Sequence, residues 1–442
     1  MTFKVKAGLQ VGATTVVDSN SYFQQTESAA SVMPSLALNF TSKALDPRVT
    51  FTRSTAATFV GSNGLIQSAP NDTPRFNHDP ITRICKGLLF EPTRTNLITY
   101  SADWTTYHAI DNTTTTANTV LAPDGTLSGT TLTSTLTGGN NNCWVQKISS
   151  ITSGTTTYQY TQFIKQGTCP KISINLAVAG GTTYKDIIAT LTWSNLSVTY
   201  AGTDNANGTY TLEAFPNGWY RFGTKLTDNN TGHTLVAART YVRDPFTSNV
   251  TGEYNYIWGA QVEVGTNAST SYIPTVASQV ARNNDITVMQ GNNFFNWYNA
   301  TEGTFVVSLE NTFDGTLGLY PRVLSFSDGS GQYNNIHVIY AGGSPTQIQT
   351  GLWTNGVFTA GAGANKSNTS ANSVIAMGYQ LNNTSSSFDG AAPSLDTTCP
   401  IPTIDRLHLG NGQGSGVILG HLKSFTYYPE RLDNNTLTNL SS

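Results

Sequence analysis

The sequence predicts an all-β protein: two tandem β-sandwich (jelly-roll) domains behind a short N-terminal β-segment. Three observations predict it. Short runs that alternate apolar and polar residues recur along the chain, separated by Gly, Asn and Asp turn signals. No apolar pattern of helical period lasts as long as an ordinary helix. The 442 residues carry 11% charge and 10% aromatic residues, where an average soluble protein has roughly 25% charge. That supplies aromatic cores under a surface of neutral Thr, Ser, Asn and Gly. The length exceeds one ordinary domain.

Residues 1–35 open the chain. "KVKAGLQVGATTVVDSNSYF" alternates and breaks at Gly8, Gly12 and the Asp18-Ser19-Asn20 turn, and residues 24–34 read as a linker or a short helix. Residues 36–95 follow and are expected to pack on the first sandwich. Within them "VTFTRSTAATFVGSNGLIQSA" reads as a hairpin, with Asn63-Gly64 supplying the positive φ of its turn. From 96 to 290, runs such as "YQYTQFIKQ", "KISINLAV" and "YNYIWGAQVEVG" recur at the spacing of sandwich strands. From 291 to 442 a second set appears, including "GTFVVSLEN", "PRVLSFSD", "NIHVIYAG" and "GVILGHLKSFTYY". The chain closes on a short helix capped by Asp433 or Asn434, with Leu437 and Leu440 turned back onto the sheet.

Charge narrows the functional classes. With 23 basic and 26 acidic residues the net charge is −3. No basic stripe tracks phosphates, so nucleic acid is not expected as a partner. No apolar run approaches the roughly 20 residues of a membrane span, so no membrane insertion is expected. The N-terminus lacks an apolar secretory core, which predicts synthesis and folding in a cytoplasm. Cys85, Cys143, Cys169 and Cys399 match no zinc spacing and are read as reduced packing residues. Asp204, Asp314 and Asp328 lie in Gly/Asn-rich loops, but no loop shows the spaced acids of a calcium site. No metal and no cofactor is expected.

One stretch is dense in charge: "RFNHDPITRICKGLLFEPTRTNL", residues 75–97. His78, Asp79 and Glu91 could make an acid–base site. The arginines favour another reading. Guanidinium forks suit carboxylates and the unpartnered carbonyls of a turn-rich segment. Arg75, Asp79, Glu91 and Arg94 are therefore read as a polar clamp stapling the hairpin segment to the sandwich, and no catalytic residue is assigned. For ligand contact the candidates are Trp104, Tyr107 and Trp144, aromatics on loop-like stretches that could stack on sugar rings. Trp193, Trp219, Trp258 and Trp353 sit inside strand patterns and are assigned to the cores.

Three stretches carry a resemblance. "LDPRVTFTRSTAATFVGSNGLIQSAPNDTPRFNHDPITRICKGLLFEPTRTNLITYSADW" resembles a segment of tailed-bacteriophage virion proteins: tail fibres, head fibres and spikes. "YIWGAQVEVGTNASTSYIPTVASQVARNNDITV" is similar to the closing strand and exit of the carbohydrate-binding-module-like jelly roll that follows it in those chains. "DRLHLGNGQGSGVILGHLKSFTYYPERLDNNTLTNL" resembles the end of a laminin-G/concanavalin-like sandwich. The resemblance implies a non-enzymatic virion structural protein on the tail or capsid, a homo-oligomer and by likeness a trimer. It implies that residues 1–35 attach the chain to other virion proteins, and that host cell-surface polysaccharide is contacted without cleavage. Two alternatives are a purely architectural decorating protein and a glycan-cleaving tailspike.

Overall fold

The computed structural model describes residues 10–11, 14–15, 32–138, 143–265, 269–311, 320–330, 333–340, 347–359, 366–367, 372–413 and 416–442. Most of the expected attachment segment, and Asp314, lie outside the described residues. The described strands pair antiparallel and layer into two β-sandwiches, as the alternation predicts. No described helix is long and apolar enough to cross a membrane.

The first sandwich packs two 6-stranded sheets. In one, the Trp144 sheet, the order is Ala109–Asp111, Trp144–Ser150, Leu235–Tyr241, Lys171–Ala179, Lys185–Thr192 and Ser197–Ala201. In the other, the Phe163 sheet, it is Thr113–Leu121, Leu127–Ser134, Tyr254–Val264, Thr157–Gln166, Trp219–Thr227 and Tyr210–Phe215. Period-2 alternation decides the faces. In "KISINLAVA" Ile172, Ile174, Leu176 and Val178 join the core, which turns Ser173, Asn175 and Ala177 outward. Each buried aliphatic side chain of this kind stabilises the fold by roughly 1.5–3 kcal/mol.

The second sandwich is discontinuous in sequence. Its His337 sheet runs Val357–Thr359, Gln347–Thr354, Asn335–Tyr340, Arg322–Ser327, Arg406–Leu409, Ile286–Gln290 and Thr50–Thr52. Its Phe425 sheet runs Ser394–Asp396, Thr384–Phe388, Asn372–Gln380, Glu302–Asn311, Gly420–Tyr428, Cys85–Phe90 and Phe76–His78, and Leu36–Asn39 also pairs with Gly420–Tyr428. The core between them is aromatic: Trp297 meets Phe294 at 5.0 Å and Tyr427 at 4.8 Å. Cys85–Phe90 lies close against its neighbour because Gly87 has no side chain. At φ 111°, a Cβ there would sit 2.1 Å from the Leu422 carbonyl oxygen.

These pairings correct the expected boundaries. Of residues 36–95, the strands Leu36–Asn39, Thr50–Thr52, Phe76–His78 and Cys85–Phe90 belong to the second sandwich, not the first. So does Ile286–Gln290. The first sandwich is thus an insertion between two parts of the second. The hairpin leans the expected way. Ala57–Val60 pairs with Ile66–Ala69 around Gly64, at φ 80°, and Ile66 packs among Phe163, Phe215 and Trp219 of the first sandwich. At the C-terminus Asp433 caps the helix Asn434–Leu440, accepting from the Asn435 and Thr436 amides, and Leu437 is buried. All four cysteines are free thiols.

Candidate functional site

The charged stretch lies where the chain passes into and out of the inserted sandwich. Arg75 divides its fork between Glu91 Oε2 at 2.6 Å and Asp285 Oδ2 at 2.5 Å. Arg53 binds the other Asp285 oxygen at 2.9 Å, and Arg282 binds Glu91 at 2.5 Å. Ser271 donates to Glu91 through its amide and its hydroxyl. All five charged side chains are buried. Three guanidiniums face two carboxylates. Carbonyls of Thr55, Thr58, Pro70 and Pro92 accept further donors, while Nε of Arg75 and Nε of Arg282 have no hydrogen-bond partner among the described residues. Burial alone would raise the Glu91 carboxyl, but the charges of Arg282 and Arg75 and the Ser271 bonds outweigh it and hold the pKa down at about 2.

Of the four residues read as a clamp, this network joins Arg75 and Glu91. Asp79 is outside it. Its carboxylate accepts from the Ile81 and Thr82 amides and shapes a turn. Arg94 is outside it too, with Nη1 on the Thr93 carbonyl at 3.0 Å. Arg53, Arg282 and Asp285 were not anticipated. Both Glu91 oxygens are spent on partners, so the cluster holds elements together and presents no free carboxylate to a substrate.

The aromatic candidates separate. Trp104 is 0% exposed and part of the first core, with the buried Lys147 amine 5.0 Å over its ring. It offers no face to a ligand. Tyr107 is 40% exposed, in the loop leading to Ala109–Asp111. Trp144 stands on the outward face of its sheet, because Val145 takes the core position beside it. Trp193, Trp219 and Trp258 are buried, but Trp353 is half-buried in the second sandwich rather than in its core.

Around Trp144 the outward face becomes a site. Trp144 lies opposite Tyr241, and Gln146 opposite Arg239. The Arg239 guanidinium packs 4.2 Å from the Trp144 ring centroid. Gln146 Oε1 accepts from Arg239 Nε at 2.9 Å and from Nη2 at 2.6 Å, and the Tyr241 hydroxyl accepts from Nη1 at 2.9 Å. Asn175, opposite Arg239 on the next strand, donates to Asp186 at 3.1 Å. Tyr184 stands at the rim beside these groups. Burial, then the Asp186 charge, pushes its phenol up to about 12. An indole, two phenols, a fixed guanidinium and a floor of amide, hydroxyl and carboxylate groups share one face. Such a set stacks on a sugar ring and bonds its hydroxyls.

A second concavity lies at the junction of the two sandwiches. It encloses about 320 Å³ among residues that include Asn77, Lys86, Glu213, Phe215, Arg221 and His421. Glu213 is exposed at its rim. Desolvation by the surrounding protein raises its carboxyl, against the pull of Arg221 and Lys86. His421 is buried and held neutral, its pKa pushed down to about 3 by desolvation and then by the Lys86 charge.

The loop acids are otherwise engaged. Asp204 pairs with Lys185 at 3.1 Å, and Asp328 accepts from Ser330 and Asn334. Among the described residues no group of three or more His, Cys, Asp or Glu is placed to hold a metal.

No protein-family model matches the sequence, and no curated protein matches it. Solved structures do match in part. The carbohydrate-binding module CBM40 of the Ruminococcus gnavus IT-sialidase, bound to alpha2,6 sialyllactose, is 16% identical, with 33% of this chain and 85% of that chain covered and a TM-score of 0.25. Trypanosoma rangeli sialidase with the inhibitor DANA is 9% identical, with 71% of this chain and 60% of that chain covered and a TM-score of 0.27. The chain therefore spans under two thirds of that sialidase. Likeness this distant carries no argument about chemistry. These neighbours are glycan-binding and sialidase domains, and none named here is a virion protein. The expectation that the chain is not an enzyme is corrected: catalytic sialidases stand among the matches, so that reading is withdrawn.

Proposed function

We propose that the protein is a phage virion appendage that binds host-surface glycan through the Trp144 face of its first sandwich. One observation carries the binding: Trp144 and the exposed Tyr184 flank Arg239, which Gln146 and the buried Tyr241 hydroxyl hold in place. The virion assignment is supported by the three stretches that resemble phage fibre and spike proteins. With it go attachment through residues 1–35 and a homotrimer, which light scattering on the full chain tests; a stable monomer at working concentration overturns the trimer. Each site is weak, because a shallow polar face replaces water with bonds of similar strength. Copies on one particle raise avidity.

Trp144→Ala is expected to weaken glycan binding roughly tenfold, the worth of one ring stack. The melting temperature should move little, since the fold loses only an Arg–indole contact of about 0.5–1 kcal/mol. A glycan array of host polysaccharides, read with wild-type and variant, measures the binding, and thermal melts of the two proteins measure the stability. Equal binding by a folded Trp144→Ala protein refutes this face as the contact.

A second reading is glycan cleavage. Glu213 lines the junction cavity beside Arg221 and Lys86 and is open to solvent there, which places an acid where a bound glycan would meet it. Release of reducing ends from the glycans that bind supports it. Bound glycans that stay intact over long incubation refute it.

A further inference from the structure

The outward face of the His337 sheet holds a cationic group to which no described residue supplies an acid. Arg322 is 8% exposed. Among the described residues its Nη1 reaches only the Ser325 hydroxyl, at 3.4 Å. Among the described residues no carboxylate lies within ion-pair distance of it. Desolvation lowers its pKa with no acid opposing. Burying an unpaired guanidinium is costly, yet the fold makes room for it. A Cβ on Gly412 would stand 2.3 Å from the Arg322 side chain, so the absent side chain there is what seats the arginine.

Strand register builds the surroundings. His337 lies opposite Ser325 on one side and opposite Gly351 on the other, and Ser325 lies opposite His408. These four form one row across four strands, with the Arg322 fork at Ser325. His337 is buried, shares Nδ1 with Asn335, and has no partner on Nε2. Burial and then the Arg322 charge push its pKa down to about 3, so the ring is neutral. His408 bonds the Thr287 carbonyl through Nδ1 and likewise has no partner on Nε2. Two orphan imidazole nitrogens thus share the row with the unpaired guanidinium.

Above the row is a cavity of about 260 Å³, lined by Arg322, His337, Gln349 and the aromatics Tyr320, Trp353 and Phe358. Phe358 lies within 10° of parallel to the His337 ring and 5.2 Å from Trp353. Gly351 leaves the floor open: a Cβ there would meet both His337 and Phe358 at 2.8 Å. Drug-sized ligands fill about 300–1,000 Å³, so this space suits a single ring.

We propose that this cavity binds one acidic sugar residue, with its carboxylate on the Arg322 fork. The sugar ring lies against Trp353 and Phe358. A hydroxyl donates to His337 Nε2, and Gln349 bonds another. The planar fork selects a carboxylate, and the apolar rim selects a ring over a small inorganic anion. The site is separate from the Trp144 face and does not depend on it.

The test uses the full chain with Trp144→Ala in the background, so failure of the first site cannot be mistaken for failure of this one. Quenching of tryptophan fluorescence is followed on addition of galacturonate oligomers, sialic acid, neutral galactose oligomers and sodium sulfate. Saturable binding of the carboxylated sugars, with no binding of the neutral one, is expected. Arg322→Met should weaken it roughly 10–100-fold, the worth of a charge-assisted bond. Because Arg322 is buried, Trp353→Ala at the half-buried rim is the second variant, expected to weaken binding roughly tenfold with the fold intact. Equal binding of neutral and acidic sugars, sulfate binding as tightly as the sugars, or full binding by folded Arg322→Met or Trp353→Ala overturns the proposal.

Discussion

Asp285→Ala is expected to cost about 3–5 kcal/mol of folding stability, the scale for removing one partner from a buried ion network. Asp285 accepts from Arg53, from Arg75 and from the Glu91 amide. Without it, three buried guanidiniums face Glu91 alone. Leu or Asn at the same position should fare little better, since neither supplies the missing charge. The linkage to pH follows from Glu91. Its folded pKa, about 2, lies below its ordinary value of 4.5. A depressed carboxyl contributes stability that is present above the unfolded value and lost as pH falls through the folded one. Urea midpoints should therefore drop between about pH 4.5 and pH 2, and Glu91→Gln should flatten that drop. A wild-type midpoint for Asp285→Ala would sink the account.

Trp104→Ala should destabilise by about 3–5 kcal/mol, the range for deleting a large buried aromatic. The void would open beneath Lys147, whose amine sits over the ring and donates to the Asp103 and Thr106 carbonyls. A lysine left over a cavity, in place of an indole face, loses the attraction that helps offset its burial. The expected signature is a lower melting temperature with unchanged glycan affinity per folded molecule. An unchanged melting temperature with lost binding would return Trp104 to the surface.

The contrast between Trp104 and Trp144 shows what could be read in advance. Both follow turn-like stretches, "SAD" and "GGNNNC". Trp144 is placed by parity within its strand. Trp104, outside any strand, is placed by Lys147 from Trp144–Ser150, which no local pattern records. The same split runs through the charged network. Arg75 and Glu91 stand close in sequence, within the one stretch dense in charge, where they were grouped with Asp79 and Arg94. Arg53, Arg282 and Asp285 belong to segments that meet only when the inserted sandwich folds. The hairpin at Asn63-Gly64 and the helix after Asp433 were legible because their signals are local. Strand existence was legible as well, from alternation. Strand partnership was not, because Cys85–Phe90 pairs with Gly420–Tyr428, far beyond any window. The Arg322 row was hidden for the same reason: its four members come from four strands.

The insertion of one sandwich into the other sets an order of events during synthesis. At roughly 5–20 residues per second, a ribosome takes on the order of 15–65 s to pass from residue 90 to residue 420. The first sandwich has all of its strands well before that and can close within seconds. Leu36–Asn39 and Cys85–Phe90 spend the interval without the strand they flank, with Leu88 and Phe90 uncovered. They are open edges that a neighbouring nascent chain could complete in place of their own C-terminus. On a polysome several such chains wait side by side. The yield of correctly closed protein should then depend on chain spacing and on holdase chaperones, and slower initiation should raise it.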